Sequence, residues 1–298
     1  MDGIRPRWWS AVPCGAGDIA ARCGLCFHAC LIPSGGSGYC GARRFSGGVF
    51  ESPLLGKFVS LAVDPIEKKP IYHWRPGTKI LSLGGFHCNM SCPFCQNHAI
   101  AHPSGGVGAK GLSPEELAET ALSLGLSSVA YTYNEPTLQA EYIISAAPVL
   151  RDAGIASVMV TNGLFSMEVC AELAAHVAAM NVDVKTFDGN SYSRLAGSSS
   201  EGGPDALSVV MENVESLCLA GVHVELTNLV VPGVSESEAD FAGMVAWIAG
   251  ISHEIPLHIS RYFPAYRYMA PATDIGLMKR FESVARKKLK FVHLGNVW

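Results

Sequence analysis

The stretch Gly84-Gly85-Phe86-His87-Cys88-Asn89-Met90-Ser91-Cys92-Pro93-Phe94-Cys95-Gln96-Asn97 decides how this chain is read. It follows Lys79-Ile80-Leu81-Ser82-Leu83, a short β-rich run closed by two glycines, so its three cysteines leave the end of a strand. Pro93 suits a first helical position, which predicts a short helix starting between Cys92 and Cys95, with Cys88 reaching in from the loop before it. The free N–H groups and positive end of such a helix favour an anionic, thiolate-ligated centre. The ligand count matters most. A cluster that needs four thiolates but receives three keeps one iron open. Structural zinc would want a fourth ligand, which His87 or His98 could supply. A third reading is a set of buried or redox-active thiols.

Downstream of this segment, strand and helix signals alternate. Ser113-Pro114-Glu115-Glu116 opens a helix, with Ser113 as N-cap and Glu116 completing a capping box. Ser128 to Tyr133 reads as a strand, followed by a helix from Pro136 to about Gly154. Ser157 to Thr161 is a strand before a helix capped by Ser166. Asn181 to Lys185 is a strand before the Gly/Ser-rich loop Gly197 to Gly203 and a helix ending at Gly221. Val222 to Val231 is a strand before a second capping box, Ser235 with Glu238. Ile255 to Tyr262 and Lys290 to Leu294 flank the last helix, giving six βα units and a terminal strand. Such alternation implies an α/β fold with a parallel sheet. Asn134-Glu135, Asn162, Lys185, Asn228 and Ser260 fall near strand ends, which favours a barrel or partial barrel over a doubly wound sheet.

Composition narrows the function classes. The 298 residues are 49% hydrophobic and 16% charged, which suits a filled core. A net charge of −4 speaks against a general nucleic-acid surface, and the run Arg286, Lys287, Lys288, Lys290 reads as a solvated helix end. No apolar stretch reaches the roughly 20 residues of a membrane span, and Met1 to Trp9 lacks a signal-peptide pattern, so the expected location is cytoplasmic. In that compartment ten cysteines point to metal or redox chemistry rather than disulfides. Cys170 and Cys218 stand alone on expected helices and read as core residues.

Residues 1–75 differ in texture from 76–298, being Cys- and Gly-rich with no strong period, and read as an appended metal-stapled segment. Cys23, Cys26, Cys30 and Cys40 form a candidate second site for structural zinc or an auxiliary iron–sulfur cluster, and spacing alone does not choose.

Cys-x3-Cys-x-aromatic-Cys after the first strand resembles the motif of radical S-adenosylmethionine (SAM) enzymes. Further runs sharpen the likeness: Asp64-Pro65-Ile66-Glu67-Lys68-Lys69-Pro70, Tyr131-Thr132-Tyr133-Asn134-Glu135-Pro136, Val160-Thr161-Asn162-Gly163, Asn181-Val182-Asp183-Val184-Lys185 and Leu257-His258-Ile259-Ser260-Arg261-Tyr262. Together they resemble the radical SAM member of the AmmeMemoRadiSam system, a relative of pyruvate formate-lyase activating enzyme. The resemblance implies a partial (βα)6 TIM-like barrel and a 4Fe-4S cluster on Cys88, Cys92 and Cys95 whose open iron chelates SAM. It further implies reductive cleavage of SAM to a 5′-deoxyadenosyl radical that abstracts hydrogen from a partner protein or its bound substrate. A radical SAM enzyme acting on a small metabolite and a non-catalytic Fe–S or zinc scaffold are the alternatives. Phe94 resembles the residue packed near adenine, and Glu135 the acidic residue that meets the methionyl ammonium. Asn134, Asn162, Asp183 and Lys185 resemble further residues of the SAM pocket. A flavodoxin- or ferredoxin-like electron donor is implied, along with a Memo-like or glycyl-radical protein as candidate substrate, and oxygen sensitivity with it.

Overall fold

The computed structural model describes residues 4–15, 18–103, 108–197 and 204–297. Seven strands lie parallel in one sheet, in the order they occur in the chain: Lys79–Gly84, Ser128–Thr132, Ala156–Thr161, Ala179–Asp183, His223–Val230, Leu257–Arg261 and Val292–Gly295. A doubly wound sheet reverses its strand order at a switch point; this sheet does not. Right-handed crossovers that always step the same way put every helix on one side and leave the other side as an interior. Among the described residues the last parallel strand pairs with nothing on its far edge. The result is the expected six βα units in a partial barrel, closed on its first edge by Ser60–Pro65, which runs antiparallel to Lys79–Gly84. That edge strand precedes residue 76, so the Cys-rich segment and the barrel share one sheet.

Strand parity sorts the side chains. Leu81, Val129, Met159, Met180, Leu226 and Leu257 belong to the main core under the helices. The register aligns Ala130, Val158 and Ala179 on the opposite face. There, with Ile80, they form a small second core under Ile66 and Ile71. The chain between the edge strand and the first parallel strand therefore plugs one end of the interior. The Asp64-to-Pro70 run supplies its lock: Asp64 accepts from Lys68 (2.9 Å), Lys69 (2.7 Å) and the Tyr133 hydroxyl (2.6 Å). Lys69, only 2% exposed, lies over the Tyr133 ring.

Local signals hold at most element ends. Ser113 and Glu116 make the expected reciprocal capping box before Pro114–Ser123, and Ser166 caps Met167–Ala174. Ser113→Ala should therefore cost about 1 kcal/mol, read as a shift in the urea midpoint. Three expectations are corrected. Ser237, not Ser235, caps Glu238–Ile251, while Ser235 bridges Val231 N–H and Leu229 C=O and so ties a turn instead. The fourth parallel strand ends at Asp183, leaving Lys185 beyond it, and a helix that the sequence reading did not include, Gly189–Ala196, precedes the loop. The loop Gly197 to Gly203 lies outside the described residues beyond Gly197. Finally, Pro93 starts no helix: Cys95 N–H closes a turn on Cys92 C=O, and the short helix is His98–Ala101.

A cluster missed in the sequence lies near the N-terminal ends of the last strands. The buried Glu225 carboxylate accepts from the Tyr72 and His73 N–H groups and bonds the rings of His223 and His258. His73 and His293 meet ring nitrogen to ring nitrogen at 2.8 Å. Burial, then the neighbouring His258 and His73, pushes His293 down from 6.5 to about 4. A histidine whose folded pKa is depressed is charged first in the unfolded chain. Stability is then expected to fall as pH drops from about 6.5 to about 4 and to lose that slope below. Urea midpoints across this window should decline less in His293→Gln than in the parent. An equal decline would remove His293 from the account.

Candidate metal centre

Cys88, Cys92 and Cys95 sit in a loop that leaves the C-terminal end of the first parallel strand and is pinned by side chains from the strands beside it. Asn134 does most of this. Its Oδ1 accepts from Gly85 N–H at 2.9 Å, and its Nδ2 donates to the Phe86 and His87 carbonyls at 3.0 Å each. Expected beside a cofactor, its amide is instead engaged with the backbone that leads into Cys88. His87 and Tyr133 hold φ of 66° and 72°, uncommon for residues with a Cβ, where the two loops meet.

Asn162 joins the sulfur to the next strand. Its Nδ2 lies 3.8 Å from Cys88 Sγ and 2.7 Å from Asn89 Oδ1, and its own N–H donates to Glu135 at 2.9 Å. Glu135, 1% exposed, takes Thr137 N–H, Thr137 Oγ1 and Thr161 Oγ1 on Oε1, but only Asn162 N–H on Oε2. Burial raises its pKa against those four donors. It also caps the turn Pro136–Gln139. Asp183 and Lys185 form a 2.7 Å ion pair on the other side. Burial works against the Lys185 charge, but Asp183 and Cys92 outweigh it and hold the ammonium above its usual range. Phe94, 3% exposed, stands edge-on to Tyr262 and Tyr268, whose hydroxyls bond the Tyr268 and Pro232 carbonyls. The phenol of Tyr192 is buried beside the Lys185 backbone, and the Oδ1 of Asn228 is buried with no partner among the described residues. Sequence reasoning placed Asn228 at a strand end but gave no signal for Tyr192, which lies on the unexpected helix.

Cys88 feels Cys92 and Cys95, and Cys92 feels Cys95. Burial pushes Cys92 up to about 11, with Lys185 pulling the other way, and raises Cys88 further, with Glu135 next in weight. His98 Nδ1 bonds the Cys95 carbonyl and its ring stacks on Tyr266, while the His87 ring packs beside Gly41. Among the described residues no three His, Cys, Asp or Glu side chains are drawn in to the shell of a single ion. Three thiols on one loop fit an iron–sulfur cluster that leaves one iron open.

A sequential parallel partial barrel with three cysteines beyond its first strand defines a class of cofactor-dependent α/β enzymes. Residues 82–247 match the Radical SAM superfamily. The chain is 34% identical over 286 residues to the protein MJ0808 of Methanocaldococcus jannaschii, covering 94% of this chain and 82% of that one. Among solved structures it is similar to a radical SAM methyltransferase from Sphaerobacter thermophilus, with TM-score 0.56, 15% identity, and 96% and 76% of the two chains covered. It is also similar to Streptococcus suis SuiB bound to S-adenosylmethionine, with TM-score 0.54 and 14% identity. That likeness covers 72% of this chain and about half of SuiB, 51%. The chain belongs to the radical SAM superfamily. It is a radical SAM enzyme, with a 4Fe-4S cluster and S-adenosylmethionine as its cofactors. Among the described residues no helix is long and apolar enough to cross a membrane.

Proposed function

We propose that Cys88, Cys92 and Cys95 ligate the cluster and that the chain cleaves SAM reductively to act on a partner protein or a substrate held by one. The carrying observation is the set of three thiols on one loop that leaves the C-terminal end of the first parallel strand. When bound, the cofactor pair supplies a 5′-deoxyadenosyl radical able to take a hydrogen atom. The chain's own residues then orient and exclude water. Glu135 Oε2, buried with a single donor, has acceptor capacity left for the methionyl ammonium. Asn162 steadies Cys88, and Asn134 holds the loop rather than the ligand. Lys185 and Asp183 give the Cys92 side a fixed charge pair able to meet carboxylate or ribose groups. Phe94 and its two tyrosines provide an apolar wall for adenine.

A macromolecular substrate is favoured over a free metabolite by relation to activating enzymes, and the similar SuiB has been crystallised with its precursor peptide SuiA. A one-electron donor of flavodoxin or ferredoxin type, a cytoplasmic location and a Cys-rich segment at 1–75 serving as a metal-binding module belong to the same proposal. The test is anaerobic incubation of the reconstituted protein with SAM, a low-potential reductant and candidate proteins or metabolites. Protein-dependent release of 5′-deoxyadenosine supports the reading. Release stimulated by metabolites alone would move it to the small-molecule alternative.

A further inference from the structure

Cys23, Cys26, Cys30 and Cys40 come from separate turns that the backbone folds onto one another. Cys23 N–H donates to Cys30 C=O at 2.9 Å, Ala29 N–H to Cys26 C=O at 3.1 Å, and Gly41 N–H to Gly38 C=O at 2.8 Å. Tyr39 N–H reaches Cys30 Sγ at 3.4 Å. Cys23, Cys30 and Cys40 all lie close enough to Cys26 to oppose its ionisation, Cys30 and Cys40 oppose that of Cys23, and Cys30 that of Cys40. Beside them lies a buried donor with no acceptor. Arg43 is 1% exposed and gives two of its nitrogens to Glu141, but its Nε–H has no partner among the described residues. Cys23 and Cys40 are the other groups whose charge Arg43 feels. A metal-bound thiolate there supplies the missing acceptor.

The kind of metal follows from place. The four cysteines and the Cys88, Cys92 and Cys95 loop are neighbours. The His28 ring bonds the Asn89 carbonyl at 2.8 Å, and the Tyr39 hydroxyl bonds Ser91 Oγ at 2.9 Å. A Cβ on Gly41 would come 3.2 Å from the His87 ring. Tyr39 and Gly41 adjoin Cys40, while His87 and Asn89 adjoin Cys88 and Ser91 adjoins Cys92. The loops of one site rest on the loop of the other.

We propose that Cys23, Cys26, Cys30 and Cys40 hold a second iron–sulfur cluster, closed by four thiolates, that passes electrons to the Cys88–Cys95 centre. One electron from a low-potential flavin or iron–sulfur protein reduces the closed cluster. The same electron moves on and leaves that cluster oxidised again, with no bond made or broken. With no open iron, this site takes no SAM.

The full chain carrying Cys88→Ala, Cys92→Ala and Cys95→Ala, reconstituted anaerobically with ferrous iron and sulfide, tests the site independently of the catalytic reading. About four irons and matching sulfide per chain, with an EPR signal on reduction, are expected. One zinc per chain, or no iron in folded protein, overturns it. If that variant fails to fold, the intact protein serves. It should bind about twice the iron of a single cluster and show two reduced signals that speed each other's relaxation. Iron for one cluster with a lone unperturbed signal overturns the proposal.

Discussion

Cys92→Ala is expected to lower SAM cleavage to background, at least about 100-fold, because it removes a thiolate from a centre that has no spare protein ligand. Asp183, whose charge Cys92 feels, is already paired with Lys185. The loop itself should survive the change, since Asn134 and Asn162 hold it through Gly85, Phe86, His87 and Asn89 rather than through the sulfur of Cys92. The measurement is 5′-deoxyadenosine released by reconstituted, reduced protein, with circular dichroism confirming the fold. Cleavage within a few-fold of the parent would mean that Cys92 is not a ligand.

Arg43→Met should be the most damaging single change to stability, at about 3–5 kcal/mol. Arg43 and Glu141 are each 1% exposed and paired at 2.7 Å, joining the Cys-rich segment to the helix Ala140–Asp152. Removing the cation leaves a buried carboxylate with only the Arg7 N–H at 2.8 Å to answer it. The double change Arg43→Met with Glu141→Leu removes both charges and should recover much of the loss. Urea midpoints of the parent, the single and the double variant decide it. A single-variant loss under about 1 kcal/mol would show that water reaches Glu141.

The barrel was legible because each strand carried its own β-rich run and most helices their own caps. Ser113, Ser166 and the parallel strands from Lys79 onward are where local chemistry points. The three cysteines were legible because their spacing is itself the signal. What escaped was set by tertiary packing. Pro93 could have opened a helix, but its carbonyl is taken by Arg267 N–H and the cysteine loop stays in turns. Ser235 had capping chemistry and was drawn instead into the turn after His223–Val230. The three bonds that tie Asn134 to the neighbouring loop are visible only in the fold. Glu225 and its histidines are far apart in sequence, from His73 to His293, so no local pattern could join them. Arg43 and Glu141, 98 residues apart, escaped for the same reason.

The most direct measurement is EPR of the anaerobically reconstituted, reduced protein before and after SAM is added. If one iron of the Cys88–Cys95 centre is open, SAM should shift that centre's signal, and the Cys88→Ala, Cys92→Ala, Cys95→Ala protein should show no shift. A signal indifferent to SAM in the intact protein, together with one tightly held zinc per chain on those three sulfurs, would contradict the account.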